Sequence, residues 1–274
     1  METAAAVFIL AALGLVGAQT VAAARFRARI LGLAARLHDT PATRSLEGRL
    51  PSLVADFARR AGVEPGAGLR LASFAQDGEL RLRKGGRFTR TVAWQVVALG
   101  RAGFLWDARQ SLGPVQHLRV VDAYVGAEGV LEARLFGSVP VARMSGRDLA
   151  LGEAFRYLAE LPWAPDAILG NPELAWRVTG PDRVEVRLAT QGGTARVTFR
   201  FDAAGDIVGM EASGRPARDA AGMNATLDWR GTFADYRQIG PRRLPEYGEV
   251  GYVWPGTGYE PYFRGRIRDY HVAP

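Results

Sequence analysis

Arg183-Val184-Glu185-Val186-Arg187-Leu188 and Arg196-Val197-Thr198-Phe199-Arg200-Phe201 decide the fold. Val184, Val186 and Leu188 fall on one side, Arg183, Glu185 and Arg187 on the other. Successive side chains of a strand point to opposite faces, so strict alternation marks a half-buried strand. The same rhythm runs outward from here in both directions. Leu80 and Leu82 alternate with Glu79, Arg81 and Arg83. Val92, Trp94, Val96 and Ala98 line one face of another segment, and Phe104, Trp106 and Ala108 one face of the next. Residues 117–125 and 130–136 pair around Gly126-Ala127-Glu128-Gly129, and further strands fit near 206–213, 225–237, 244–254 and 259–270. The Gly-, Pro- and Ala-rich stretch 213–222 reads as a mobile loop. Short strands with close turns pair as antiparallel meanders.

Helical patterns interrupt this series twice. Around 51–61, Pro51 sits near the first turn, Leu53, Val54 and Phe57 form an apolar stripe, and Gly62 comes just after the end. At about 146–169, Ser145-Gly146-Arg147-Asp148 has the form of a capping box. Leu151, Phe155, Leu158 and Leu161 then fall at helical spacing until Pro162 and Pro165. These patterns give a fold class that is mainly β (α+β). It is a large curved antiparallel sheet, an open or half β-barrel, covered by a central helical insertion. A sheet of about ten strands curls toward closure, and the helices bury their stripes in its concavity.

The N-terminus reads differently. From Thr3 to Ala24 the residues are apolar apart from Thr3 itself, Gln19 and Thr20. As a helix they span roughly 33 Å against a bilayer core of about 30 Å, which predicts a transmembrane anchor at 1–24. A cleaved signal peptide is the alternative, because Val21-Ala22-Ala23-Ala24 offers small residues. Signal peptides begin with basic residues, whereas Glu2 precedes this run. Residues 25–48 then form a juxtamembrane helix, with Phe26, Ile30, Leu33 and Leu37 on one side, and a linker. Residues 49–274 form a single β-rich domain. Arg25, Arg27, Arg29 and Arg36 come after the span, which by the positive-inside rule favours the cytoplasmic side for the domain.

Composition excludes several chemistries. The chain has no cysteine, hence no disulfide, thiol chemistry, Cys-based zinc site or iron–sulfur cluster. Of 35 Lys and Arg residues only Lys84 is a lysine, and the formal net charge is +7. The arginines alternate with apolar residues as on a solvated strand face, and no basic run with interleaved aromatics points to nucleic acid. There is no G-x-S-x-G elbow, Walker sequence or dinucleotide fingerprint. His38, His117 and His271 are scattered, so neither metal nor cofactor is expected.

Two clusters remain as candidate ligand-binding residues. The first is Trp94, Phe104, Trp106, Arg109, Asp122 and Tyr124, with Asp107, on successive strands. Aromatics at alternate positions on neighbouring strands line the wall of an apolar cavity or an ordinary core. Asp122 shares a face with Leu118, Val120 and Tyr124 and needs a partner there, which Arg109 or Arg156 supplies. The second is Glu153, Arg156 and Glu160, on one face of the middle helix by their spacing of three, four and seven. They form either a surface ion-pair ladder or a polar lining that orients a head group. The expectation is that they turn toward the sheet and that Arg156 pairs with Asp122 or Asp107.

The ordered set of Leu50-Pro51, Val54, Phe57, Trp94-Gln95, Gly103-Phe104, Trp106-Asp107-Ala108-Arg109, Asp122-Ala123-Tyr124-Val125 and Gly152-Glu153 with Arg156-Tyr157-Leu158-Ala159-Glu160 resembles an uncharacterised bacterial family of unknown function. Trp229, Gly231, Tyr236 and Tyr262-Phe263-Arg264-Gly265 extend the resemblance, which covers roughly 48–268. Its members are often membrane-anchored, and its layout is similar to the open β-barrel of lipoprotein carriers. The resemblance implies a lipid or other hydrophobic ligand, and an extracytoplasmic domain against the charge rule. The leading reading is a membrane-anchored, non-enzymatic binder of such a ligand. The alternatives are an enzyme using Asp122, Glu153 or Glu160 as acid or base, and a tethered scaffold domain.

Overall fold

The structure is a computed structural model that describes residues 2–46 and 48–274, with side chains from residue 13 on. Helix α1 (Glu2–His38) and helix α2 (Ser52–Arg60) precede the first meander. That meander is β1 (Leu71–Leu80), β2 (Thr89–Ala98), β3 (Gly103–Leu112), β4 (Val115–Val125), β5 (Glu128–Leu135) and β6 (Val139–Met144). The chain then crosses by α3 (Arg147–Ala159), a 3-10 turn (Leu161–Trp163) and α4 (Pro165–Gly170). The second meander is β7 (Ala175–Gly180), β8 (Arg183–Thr190), β9 (Gly193–Phe201), β10 (Ile207–Arg218), β11 (Asn224–Ile239), β12 (Arg242–Trp254) and β13 (Gly258–Ala273).

Among the described residues these thirteen strands make one antiparallel sheet in the order β6-β5-β4-β3-β2-β1-β13-β12-β11-β10-β9-β8-β7. The two meanders therefore meet at a seam, β1 against β13, with Gln76 opposite Ile267. The crossing from one free edge to the other carries α3 through the concavity. The alternation patterns thus predict the sheet but not its full extent. They do not reveal edge strands β6 and β7, because an edge strand exposed on most positions carries little apolar contrast.

The segment 213–222, expected as a mobile loop, is a correction. Strand β10 continues to Arg218, past a bulge in which Ser213 and Gly214 oppose Asp228. Gly214 has φ +68°, the left-handed conformation that such a bulge takes at glycine. The extra residue reverses the facing of the rest of the strand, so Arg215 points inward.

Two apolar cores form on opposite faces of the sheet. The larger lies inside, where Phe155 and Leu158 of α3 meet Val184, Val197 and Phe199. The smaller lies outside β1 to β5, where Phe26, Ile30, Leu33 and Leu37 of α1 are buried against Ala98, Leu105, Val121 and Val125. Full burial of each such side chain stabilises by about 1.5–3 kcal/mol.

The two ends of the curved sheet differ. The Arg243 N–H donates to the Ala61 carbonyl at 3.1 Å and Arg60 to the Gly205 carbonyl, so α2 plugs the end that holds the turns after β2, β4, β7, β9 and β11. The turns after β1, β3, β5, β8, β10 and β12 lie at the opposite, open rim. The span expected at 3–24 lies within α1; the side chains of 3–12 fall outside the described residues. Among the described residues no helix is long and apolar enough to cross a membrane.

Candidate functional site

From the open rim a cavity of about 810 Å³ runs into the half-barrel. Its walls are Trp106, Leu118 and Val120 on one side and Met210, Trp229 and Phe263 on the other. Trp163 forms the floor: its ring packs 5.6 Å from Phe233 and its Nε1 donates to the Pro245 carbonyl at 2.8 Å. Gly248 makes room for it, since a Cβ there would fall 2.5 Å from the indole.

Helix α3 lays a charged stripe along this cavity. Arg156 donates to Asp122 Oδ2 at 2.5 Å and, through Nε, to Glu160 Oε1 at 2.8 Å. Its guanidinium lies 4.7 Å from the centre of the Trp106 ring and 4.9 Å from that of Phe104. Glu160 also accepts from Gln95 at 2.5 Å, Gln95 accepts from Gln76 at 3.3 Å, and Gln76 accepts from Trp106 Nε1 at 2.6 Å. The network closes on itself across β1, β2, β3 and α3. Removing one member strands the others in a medium where an unpaired polar group is costly.

Glu153 is the unusual member. It is 3% exposed, and both its Oε2 and Asp122 Oδ1 lack a hydrogen-bond partner. Burial, followed by the negative charge of Asp122, pushes the Glu153 carboxyl well above its ordinary range. A proton on Glu153 relieves its like-charge repulsion with Asp122. Arg215 faces the pair from β10, donating to the Tyr252 hydroxyl and to the Gly152 carbonyl at 3.2 Å. It is 7% exposed, lies over the Trp229 ring at 4.5 Å, and has no carboxylate partner within ion-pair distance among the described residues. Its Nε is buried without an acceptor. Tyr262 accepts from Trp229 Nε1 at 3.2 Å on the same wall, and its hydroxyl pKa is raised by burial.

Five of the nine expected residues thus line the cavity: Trp106, Asp122, Glu153, Arg156 and Glu160. Phe104 and Tyr124 face inward but lie under α3, away from the cavity, with Phe104 supporting Arg156. Trp94 and Arg109 are corrections. Trp94 opposes Asp107 on the outer face and is 44% exposed, while its neighbour Gln95 opposes Trp106 inside. Arg109 is outside too, donating to Asp107 at 3.2 Å beside the tighter Arg119 pair at 2.7 Å. For Trp94 the reason is the outer core under α1, which gives β2 an apolar outer face, so the richer apolar row is not the inward one. For Arg109 it is the alternation of β3, which turns it away from Trp106 and Ala108.

Sequence reasoning missed Arg215, Tyr252, Gln76 and Trp163 as site residues. Arg215 comes after a bulge, which breaks the alternation that would have placed it. Trp163 sits in the Pro-flanked break of the crossing. Among the described residues no group of three His, Asp or Glu side chains is arranged to hold a metal ion.

Comparison with solved structures finds a LolA superfamily protein from Nitrosomonas europaea, 6% identical, covering 81% of this chain and 93% of that chain with a TM-score of 0.42. A DUF1329 family protein from Desulfovibrio piger is 9% identical, covering 80% of this chain and 90% of that chain with a TM-score of 0.46. No curated protein matches the chain. Residues 39–265 match a family of unknown function, DUF6544, and the chain belongs to that family.

Proposed function

We propose that this protein is a membrane-tethered binder of a lipid or another amphiphile, with the apolar part in the half-barrel and the polar part against α3. The observation that carries this reading is an 810 Å³ cavity with aromatic and aliphatic walls and a few convergent polar groups. That volume lies within the range of about 300–1,000 Å³ typical of small-molecule sites. Each buried methylene adds about 0.8 kcal/mol to affinity. Arg215, without a carboxylate partner among the described residues, and Glu153, whose burial favours the protonated form, offer donors to a head group.

The tether is α1. Its exposed apolar residues Leu13, Leu15, Val16 and Val21 continue the run that begins at residue 3. The docked half, from Phe26 to Leu37, fixes that run to the sheet. Protease access in intact spheroplasts reads the side of the membrane on which the domain lies.

Native mass spectrometry of the detergent-extracted full chain tests the binding. A co-purifying amphiphile that Trp106→Ala loses supports the reading. A chain that emerges empty and takes up no lipid from mixed vesicles overturns it.

A second reading rests on the Asp122 and Glu153 pair. A buried carboxyl with a raised pKa suits general acid or base work on a bound ester. Ester turnover that Glu153→Gln abolishes, with lipid uptake intact, supports catalysis over carriage.

A further inference from the structure

The open rim gathers apolar side chains that the fold does not use. Leu82, Leu112, Val115, Phe136, Val139 and Met223 are between 46% and 67% exposed. They stand at or beside the turns of four hairpins: β1–β2, β3–β4, β5–β6 and β10–β11. In an antiparallel sheet of this order those turns share one end. At the plugged end, among the described residues, Val178 on edge strand β7 is the large exposed apolar residue near a turn. Scattered single residues of this kind are ordinary, but a set gathered around one mouth marks an interaction surface. Leu82 belongs both to this set and to the cavity lining, so the surface surrounds the mouth.

The same end is basic. Arg83 and Arg87 are exposed and have no carboxylate partner among the described residues. Among the described residues Arg218 donates to the Gly222 carbonyl and to no carboxylate, and Asp219 accepts through Oδ1 from the N–H groups of Ala221 and Met223 in its own turn.

Helix α1 leaves the sheet by this end. Near the plugged end Arg36 donates to the Val125 carbonyl at 3.3 Å, while near the rim Arg134 donates to the Ala22 carbonyl at 3.4 Å. From residue 13 to Val21 the helix is exposed. Between residue 2 and Ala22 it rises about 30 Å at about 1.5 Å per residue, close to the thickness of a bilayer core. Arg25 and Arg27 are exposed just after that stretch, at the level of the rim.

We infer that the rim docks on the surface of an anionic bilayer, with the mouth of the cavity against the head groups. This rests on the tethered-binder reading above. The apolar tips would enter the interface while the arginines meet anionic head groups, as in other interfacial proteins. Separate tips around a mouth suit a soft, laterally continuous partner. The consequence is a direct path for an amphiphile from membrane to cavity without crossing water.

The absence of native cysteine makes the test direct. Leu82→Cys and Phe136→Cys at the rim, and Ala203→Cys in the turn after β9, are labelled with an environment-sensitive fluorophore in the full chain. Each is reconstituted into vesicles of phosphatidylcholine with phosphatidylglycerol, part of the lipid brominated. The expected result is several-fold stronger quenching at both rim labels than at Ala203→Cys. Quenching at the rim falls when phosphatidylglycerol is omitted or when Arg83 and Arg87 are both changed to Glu. Equal, weak quenching at all three sites overturns docking. Rim quenching indifferent to lipid charge overturns the electrostatic part. Uptake of a fatty acid by the unlabelled full chain in the same vesicles separates the outcomes. Uptake with the rim in water removes only the docking, whereas no uptake with the rim docked removes the binder reading.

Discussion

The two meanders obey different rules, although they form one sheet. In β8 and β9 the inner row is wholly apolar, with Val184, Val186, Val197 and Phe199 all buried, and the outer row is charged. Outer pairs such as Arg187 with Glu185 at 2.5 Å lie toward solvent. In β1 to β4 the pattern inverts. The inner row carries Gln76, Gln95, Gln110 and Asp122, all buried, while Leu105, Val121, Ala123 and Val125 pack outside under α1. A sheet covered on one face must be apolar on that face alone. A sheet covered on both faces is free to place polar groups inside, provided they pair with one another. The difference teaches that the site lies where the alternation rule is weakest.

The largest expected effect tests the polar inner row. Arg156→Met leaves Asp122 and Glu160 buried without their cation and is expected to cost about 3–5 kcal/mol in denaturant titration. A loss below about 1 kcal/mol would show that the network is not a buried one. The second tests the outer core. Leu37→Ala, at a position 1% exposed, is expected to cost about 2–5 kcal/mol, as in the inner core. A negligible loss would mean that α1 docks only weakly and that the two meanders are alike.

The third prediction concerns pH. The folded pKa of Glu153 is raised above its ordinary value of 4.5, so the folded state holds a proton that the unfolded chain releases. Its contribution is complete below pH 4.5 and is lost as pH rises toward the folded pKa. Glu153→Gln is therefore expected to be more stable than the native chain at neutral pH, with the gap closing toward pH 4.5. A constant gap across that window would refute the retained proton. The smallest effect is expected outside. Arg109→Ala removes an exposed guanidinium from an Asp107 that keeps Arg119, so it should change stability by less than about 1 kcal/mol and leave ligand uptake unchanged. Trp94→Ala should likewise leave uptake unchanged, in contrast to Trp106→Ala.

By itself the sequence determined the features that depend on local periodicity. The second meander, the crossing at 146–169, the apolar stripe of α1 and the inward row Phe104, Trp106, Asp122 and Tyr124 all come from spacing. So does the demand of Asp122 for a cation, since a carboxylate in an apolar row cannot stand alone. Tertiary structure decided the rest, because the rest depends on what covers each face. Only the docking of α1 reveals that Trp94 points outward, whereas the outward facing of Arg109 already follows from alternation with Trp106 and Ala108 on β3. Only the bulge at Ser213 and Gly214 turns Arg215 inward, as one unpaired residue reverses every facing after it. Only the pairing of β1 with β2 and of β2 with β3 brings Gln76 within reach of Gln95 and Trp106, and only the seam of β1 with β13 joins the two walls of the chamber that buries Glu153.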